Sequence, residues 1–154
     1  PLGDPMQAAV GPGSYAPRPD VPDRTVDGRP RIVPLRGAAD FSVAGGDPDP
    51  RGMPVVGADY VKGGVVCDLW VDQAEILFRY LEVDTGSGRV LLPVNFSSVE
   101  ARRVKVEAIL GGQFAGVPRT RSADQVTMLE EERITAYYGA GTLYARPERA
   151  EPLL

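Results

Sequence analysis

Glycine and proline restrict the fold of this chain more than any other feature. The 154 residues include 18 glycines and 15 prolines, about twice the usual share. Both residues interrupt long helices, which excludes a helical bundle and a coiled coil. Most of them lie in residues 1–57, and a segment of this composition cannot build its own core. We therefore predict that residues 1–57 are an extended arm that lies on another surface or stays mobile. Its best candidates for short strands are Arg31–Leu35 and Phe41–Val43.

The polar composition excludes several classes of function. The net charge is −4, whereas modules that bind RNA or DNA usually carry a basic excess. Histidine is absent, which removes Ser-His and Cys-His catalysis and most zinc sites. The single cysteine, Cys67, forms no internal disulfide, and we interpret it as a small buried apolar residue. We predict no metal site, no catalytic residue and no nucleic-acid partner.

The middle of the chain has the pattern of a small barrel. Apolar and other side chains alternate along Val65–Asp72, as in a strand with one face buried. Further short strands with glycine turns between them extend the pattern. They are Phe78–Asp84, Arg89–Val94 and Arg103–Glu107. We predict that residues 58–110 form a mostly antiparallel barrel core.

The last third has the pattern of a helix. Thr127 and Glu130 have the spacing of a capping box, which predicts a helix start at Thr127. Gly139 and Gly141 predict its end, because glycine favours helix C-termini. We therefore expect residues 111–154 to be a helical segment and tail that packs with the barrel as one domain.

The densest group of titratable side chains follows the first long strand. We predict that Asp68 and Asp72 share one face of a strand, because four residues is an even step. Glu75 lies in the next connection, and Arg79 begins the following strand. Carboxylates in such a group can relay protons when burial or repulsion raises their pKa values. The same residues are also typical of a solvated hairpin with an exposed ion pair.

Several segments together resemble one family. They are GDPMQAAVGPGSY (Gly3–Tyr15), GMPVVGADYVKGGVVCDLWVDQAE (Gly52–Glu75), FRYLEVD (Phe78–Asp84), QFAGVPR (Gln113–Arg119) and DQVTMLEEERITAYYGAGTLYA (Asp124–Ala145). They resemble the cytoplasmic part of the H subunit of the purple-bacterial photosynthetic reaction centre. The resemblance implies a mainly β fold, namely a small antiparallel PRC-barrel with an N-terminal arm and a C-terminal helix.

The resemblance also implies a non-catalytic role at the cytoplasmic face of the bacterial inner, intracytoplasmic membrane. The domain would cap the L and M subunits, stabilise the complex, and support proton uptake and electron transfer to the secondary quinone. Bacteriochlorophyll, bacteriopheophytin, quinones and non-haem iron are expected in those partners, and no cofactor in this chain alone. The family's H subunit begins with a transmembrane helix, which is missing from this sequence. We therefore expect a fragment, a processed product or a trimmed form.

Site residues follow from the same resemblance. In the family, the positions matching Asp72, Glu75 and Arg79 lie near the secondary quinone and its proton path. Asp68 and Glu131 are further candidates for proton transfer. Arginine makes up 15 of the 17 basic residues and is favoured at interfaces. The candidates for docking onto partner subunits or lipid headgroups are Arg18, Arg31, Arg36, Tyr137 and Tyr138.

Two other classes of function are open at this stage. A soluble PRC-barrel adaptor, similar to a ribosome-maturation factor, would share residues 58–110 and bind protein or RNA. A hydrolase could use Asp72 and Glu75 as paired carboxylates, although no nucleophile or metal set accompanies them. Binding to integral photosynthetic subunits would separate the first alternative from the family role, and turnover of model substrates would support the second.

Overall fold

A curled sheet dominates the computed structural model, which describes residues 18–38, 40–43 and 48–144. The strands are β1 (Ile32–Pro34), β2 (Pro54–Val56), β3 (Lys62–Asp72), β4 (Leu77–Asp84), β5 (Arg89–Pro93), β6 (Ser98–Val99) and β7 (Val104–Lys105). Within these ranges one α-helix, α1, spans Met128–Tyr144. Short 3-10 turns cover Leu35–Gly37, Val94–Phe96 and Gly111–Gly116.

Strand β3 organises the sheet. The strand order is β5-β4-β3-β2-β7-β6, and β1 also pairs with β3. Strand β2 pairs with the first half of β3 and β1 with its last three residues, so two short strands share one long neighbour and the sheet curls. All pairs are antiparallel except β2 with β7. The predicted mainly β fold, a small barrel followed by a C-terminal helix, is confirmed.

The core lies between the curled sheet and α1. In β3, every residue from Asp68 to Asp72 is buried, because both faces of this half of the strand are covered. Tyr137 and Tyr138 of α1 are buried as well. The Tyr138 ring stacks on Phe96 with 5.5 Å between ring centroids. These large side chains pack into the same core as the buried residues of the sheet, and their burial contributes to the apolar stabilisation.

Helix α1 begins where the capping box predicts. The Thr127 hydroxyl accepts a hydrogen bond from the backbone N–H of Glu130, and the Glu130 carboxylate accepts one from the N–H of Thr127. The predicted end at Gly139 and Gly141 is wrong, because the helix continues to Tyr144. A Cβ at Gly141 would lie 2.4 Å from the carbonyl oxygen of Ala108. That glycine therefore allows close packing of the helix and does not terminate it.

The described part of the N-terminal arm lies on the domain. The backbone N–H groups of Met128 and Leu129 donate to the carbonyl oxygens of Val21 and Pro19. The first N–H groups of a helix have no acceptor within the helix, so these arm carbonyls complete its N-terminus. The predicted strand around Arg31–Leu35 is present as β1. The second candidate, Phe41–Val43, forms no strand.

Strands β1 and β2 both lie within residues 1–57 and both pair with β3. Part of the predicted arm therefore belongs to the sheet, while residues 1–17 of it lie outside the described residues. The division into segments 1–57, 58–110 and 111–154 stays a prediction. Within the described ranges, no helix has the length and apolar character needed to span a membrane.

Candidate functional site

Asp72 is a buried carboxylate at the end of β3, with 1% of its surface exposed. Its Oδ1 accepts hydrogen bonds from the backbone N–H groups of Ala74 and Glu75, at 2.9 and 3.0 Å. An aspartate that binds the backbone two and three residues ahead stabilises a tight turn. The sequence places Asp72 where β3 ends and the hairpin to β4 begins, so the turn itself positions the carboxylate.

Two arginines join Asp72 to Glu75. Arg31 Nε lies 3.0 and 2.9 Å from the two Asp72 oxygens, and its Nη2 lies 2.6 Å from Glu75 Oε1. Arg79 donates from Nε to Asp72 Oδ2 at 3.2 Å and from Nη2 to Glu75 Oε2 at 2.9 Å. Each arginine therefore binds both carboxylates. We call Arg31, Asp72, Glu75 and Arg79 the Asp72 cluster.

The charges of the Asp72 cluster keep the buried acid ionised. Burial raises the pKa of Asp72, but hydrogen bonds from Arg31, from the backbone and from Arg79 outweigh burial and lower it below its ordinary value. The same contacts raise the pKa of Arg31, chiefly through its bond to Asp72. Asp72 thus carries negative charge at neutral pH. Glu75, whose side chain is half exposed, is the more exposed of the two carboxylates in the cluster.

A second acid, Glu131, lies in one cleft with Asp72. Glu131, in the first turn of α1, accepts a 2.7 Å hydrogen bond from the hydroxyl of Tyr80. Burial raises the pKa of Glu131, and the bond from Tyr80 and the charge of Arg18 oppose this only in part. A cleft of about 260 Å³ is lined by Asp72, Arg79, Tyr80 and Glu131, among others. The cleft therefore holds one acid with a lowered pKa and one with a raised pKa.

Asp68 does not join this cluster. Its Oδ2 accepts a 2.8 Å bond from Arg36 Nη1, which also donates to Glu82 Oε1 at 3.0 Å. The indole N–H of Trp70 donates to the same Glu82 oxygen. Asp72 has Arg31 and Arg79 as its partners instead, so the structure divides the four residues predicted as one group. Asp68, Glu82 and Arg36 form a separate, partly buried Glu82 cluster.

Two site residues were missed by the sequence interpretation. Arg31 lies 41 residues before Asp72 and was assigned to docking, and no local pattern connects the two. Glu82 lies in the second predicted strand, and its Cα pairs with that of Asp68. Two acids directly opposite each other repel unless a cation lies between them. The need for such a cation can be inferred only when the register of the two strands is known.

The docking candidates have different surroundings. Arg18 pairs with Glu132 at 3.6 Å. Arg31 and Arg36 bind carboxylates of their own chain, as described above. The assignment of Tyr137 and Tyr138 to a partner surface is wrong, because both side chains are in the core. Their hydroxyls donate to the backbone carbonyls of Gln113 and Leu91, which satisfies the buried polar atoms.

Other candidate chemistry is limited. No group of three or more acidic, cysteine or histidine side chains suited to a metal ion occurs among residues 18–38, 40–43 and 48–144. Burial and the neighbouring Glu82 raise the pKa of the Cys67 thiol to about 12, so it is protonated at neutral pH and a poor nucleophile.

Comparison with known families gives two matches. Residues 1–37 match the model for the N-terminal region of the photosynthetic reaction centre H-chain. Residues 44–113 match the model for the PRC-barrel domain. The second match spans β2 to β7 together with the Asp72 cluster residues of β3 and β4. The first spans β1 and the segment that supplies Arg31.

Proposed function

Because the chain belongs to the family of photosynthetic reaction centre H subunits, with a PRC-barrel as its core, we propose that it caps the L and M subunits at the cytoplasmic face of the membrane. We further propose that it passes protons toward the secondary quinone held by those subunits. The observation that carries the proposal is the cleft in which the ionised Asp72 and the proton-retaining Glu131 lie together. The match to an H-chain region favours this role over a soluble adaptor.

The residues of the Asp72 cluster and the cleft would have different parts in proton transfer. Glu75 is exposed and lies where protons enter from solvent. Arg31 and Arg79 bind both carboxylates and position them. Glu131 retains a proton more readily than a free glutamate and can release it when the local charge changes. A reduced quinone consumes two protons, and Glu131 would supply one of them.

The tip of the β3–β4 hairpin supports docking at this end of the domain. Ile76 has 73% of its surface exposed and Leu77 has 41%. Ile76 also has a positive φ of 56°, which is costly for a β-branched residue. Exposed apolar side chains directly beside the Asp72 cluster fit a contact with an apolar partner. Such a contact would also shield the cluster from bulk water.

Flash-induced kinetics in assembled reaction centres test the proposal. Glu75→Gln and Asp72→Asn should each slow the second, proton-coupled electron transfer, and the double variant should be non-additive because the groups share their partners. Primary charge separation should not change, because it takes place in other subunits. Glu107→Gln is a matched control in the bend after β7, where Glu107 pairs with Lys105. Unchanged second-transfer rates in the single and double variants would reject the relay and leave a structural cap.

A further inference from the structure

Four arginines from three segments of the chain meet in a second cleft. Arg36, Arg89, Arg119 and Arg121 line a space of about 290 Å³, and the buried Trp70 also contributes to its wall. We call it the arginine cleft. Among the described residues it shares no lining residue with the cleft of Asp72 and Glu131. The concentration of cations is unexpected in a chain of net charge −4 and is not used by the proposed proton path.

Three of the four arginines form ion pairs within the chain. Arg36 binds Asp68 and Glu82 and lies 3.8 Å from Asp124. Arg121 binds Asp20 at 2.8 Å and lies 3.7 Å from Glu130. Arg89 binds the Glu82 oxygen that Arg36 leaves open. Among the described residues that line the cleft, Glu82 is the one acid, so cations outnumber anions there.

Arg89 and Arg119 retain most of their hydrogen-bonding capacity. Arg89 donates from Nη1 to Glu82 Oε2 at 3.2 Å, and its side chain is 59% exposed. Arg119 donates from Nη2 to the carbonyl oxygen of Ser87 at 2.8 Å, and no carboxylate in the described part of the chain lies within ion-pair distance of it. A guanidinium has five N–H donors, so each of the two leaves several for a ligand.

The glycine turn before β5 contacts Arg119. A Cβ at Gly88 would lie 2.5 Å from Cζ of Arg119, so the guanidinium packs against the backbone of this turn. Its bond to the carbonyl oxygen of Ser87 lies in the same turn. The two contacts place the guanidinium at the wall of the arginine cleft.

We propose that the arginine cleft binds a phosphate group through Arg89 and Arg119. Guanidinium groups match the spacing of phosphate oxygens and form paired, charge-assisted hydrogen bonds with them. Ser122, whose Oγ accepts from the N–H of Asp124, adds a hydroxyl donor to the wall. An adjoining cleft of about 520 Å³ shares Arg36 and Arg89 and adds Arg51. The remainder of a phosphate ester has room there.

A titration of the full 154-residue chain with inorganic phosphate tests the site. Side-chain Nε–H resonances of Arg89 and Arg119, identified from their loss in R89Q and R119Q, should shift and saturate. R119Q should weaken phosphate binding about tenfold or more, as expected for the loss of a charge-assisted contact. R119K should recover only part of the affinity, because lysine lacks the paired donors. R102Q removes the same charge from an exposed loop outside the cleft and should leave binding unchanged.

Vesicles distinguish the source of the phosphate. If the ligand is a lipid headgroup, vesicles containing phosphatidylglycerol should bind the wild type and R102Q. They should not bind the double variant R89Q/R119Q. If it is a soluble ester, glycerol 3-phosphate should bind and the vesicles should not. A titration without saturable shifts at Arg89 and Arg119, or an equal loss of affinity in R102Q and R119Q, would overturn the proposal.

Discussion

Arg31 Nε lies 2.9 Å from Oδ2 of Asp72, although 41 residues separate the two in sequence. The bond connects the N-terminal arm to the end of β3, next to the pairing of Ile32 with Asp72 in the sheet. It supplies one of the two cations that, with the backbone N–H groups, keep this buried carboxylate ionised. The arm is therefore part of the candidate site and not only a covering for it.

Loss of the Asp72 charge should destabilise the domain far more than loss of the Glu75 charge. Asp72→Asn removes the buried anion that Arg31 and Arg79 both bind, and we expect a loss of about 3 kcal/mol in the free energy of unfolding. Glu75→Gln alters an exposed pair and should cost less than about 1 kcal/mol. Urea unfolding at neutral pH measures both variants. Similar losses of unfolding free energy in the two variants would show that the burial of Asp72 does not determine how much its ion pairs stabilise the domain.

The pH dependence of stability should have opposite signs for the two acids of the cleft. The pKa of Asp72 is lowered in the folded state, so its contribution is fully present above the unfolded value of 3.8 and is lost as the pH falls through the folded pKa. The pKa of Glu131 is raised above 4.5. Its contribution is present below 4.5 and is lost as the pH rises through the folded value.

Variants at the Tyr80–Glu131 hydrogen bond isolate the effect of Glu131 on the pH dependence of stability. Glu131→Gln should remove the decline in stability that Glu131 causes as the pH rises above 4.5. Tyr80→Phe should make that decline steeper, because the Tyr80 hydroxyl stabilises the charged form of Glu131. Urea unfolding across the acidic to neutral range measures the slopes. A slope in Glu131→Gln equal to that of the wild type would contradict the assignment.

A substitution at the tip of the β3–β4 hairpin should raise the stability of the chain and weaken its assembly with partners. Ile76→Asn relieves a positive φ that asparagine tolerates, and should stabilise the isolated chain by about 1 kcal/mol. It should weaken assembly with the membrane subunits, because the exposed apolar side chain is lost. Leu77→Asn is the control, since it removes a neighbouring apolar side chain without a positive φ. Unfolding measurements and reconstitution of the complex give the two readouts, and a loss of stability in Ile76→Asn would refute the strain.

A close backbone crossing should make one glycine irreplaceable. A Cβ at Gly57 would lie 2.3 Å from the backbone nitrogen of Gly111, whereas nothing lies within 4 Å of a Cβ at Gly112. Gly57→Ala should cost about 1–3 kcal/mol, as expected for an overpacked site with no flexible neighbour. Gly112→Ala should be neutral or slightly stabilising. Thermal unfolding compares the two, and equal melting temperatures would show that the crossing relaxes easily.

The sequence by itself determined the features that depend on neighbouring residues. Alternation along β3 to β5 predicted the strands within a few residues, and the spacing of Thr127 and Glu130 predicted the start of α1. The proximity of Asp72, Glu75 and Arg79 was also predictable, because a short hairpin brings them together whatever surrounds it. The same local patterns, with the flanking segments, identified the family.

Only the tertiary structure decided which distant residues meet. Strand register placed Asp68 opposite Glu82, where Arg36 binds both carboxylates. The pairing of β1 with β3 brought Arg31 to Asp72. Packing of α1 against the sheet buried Tyr137 and Tyr138. It also placed Gly141 against the backbone of Ala108 within the helix, where the sequence predicted that the helix ends. Alternation and caps depend on interactions over a few residues. These contacts span tens of residues and depend on how the whole sheet curls, which no local pattern encodes.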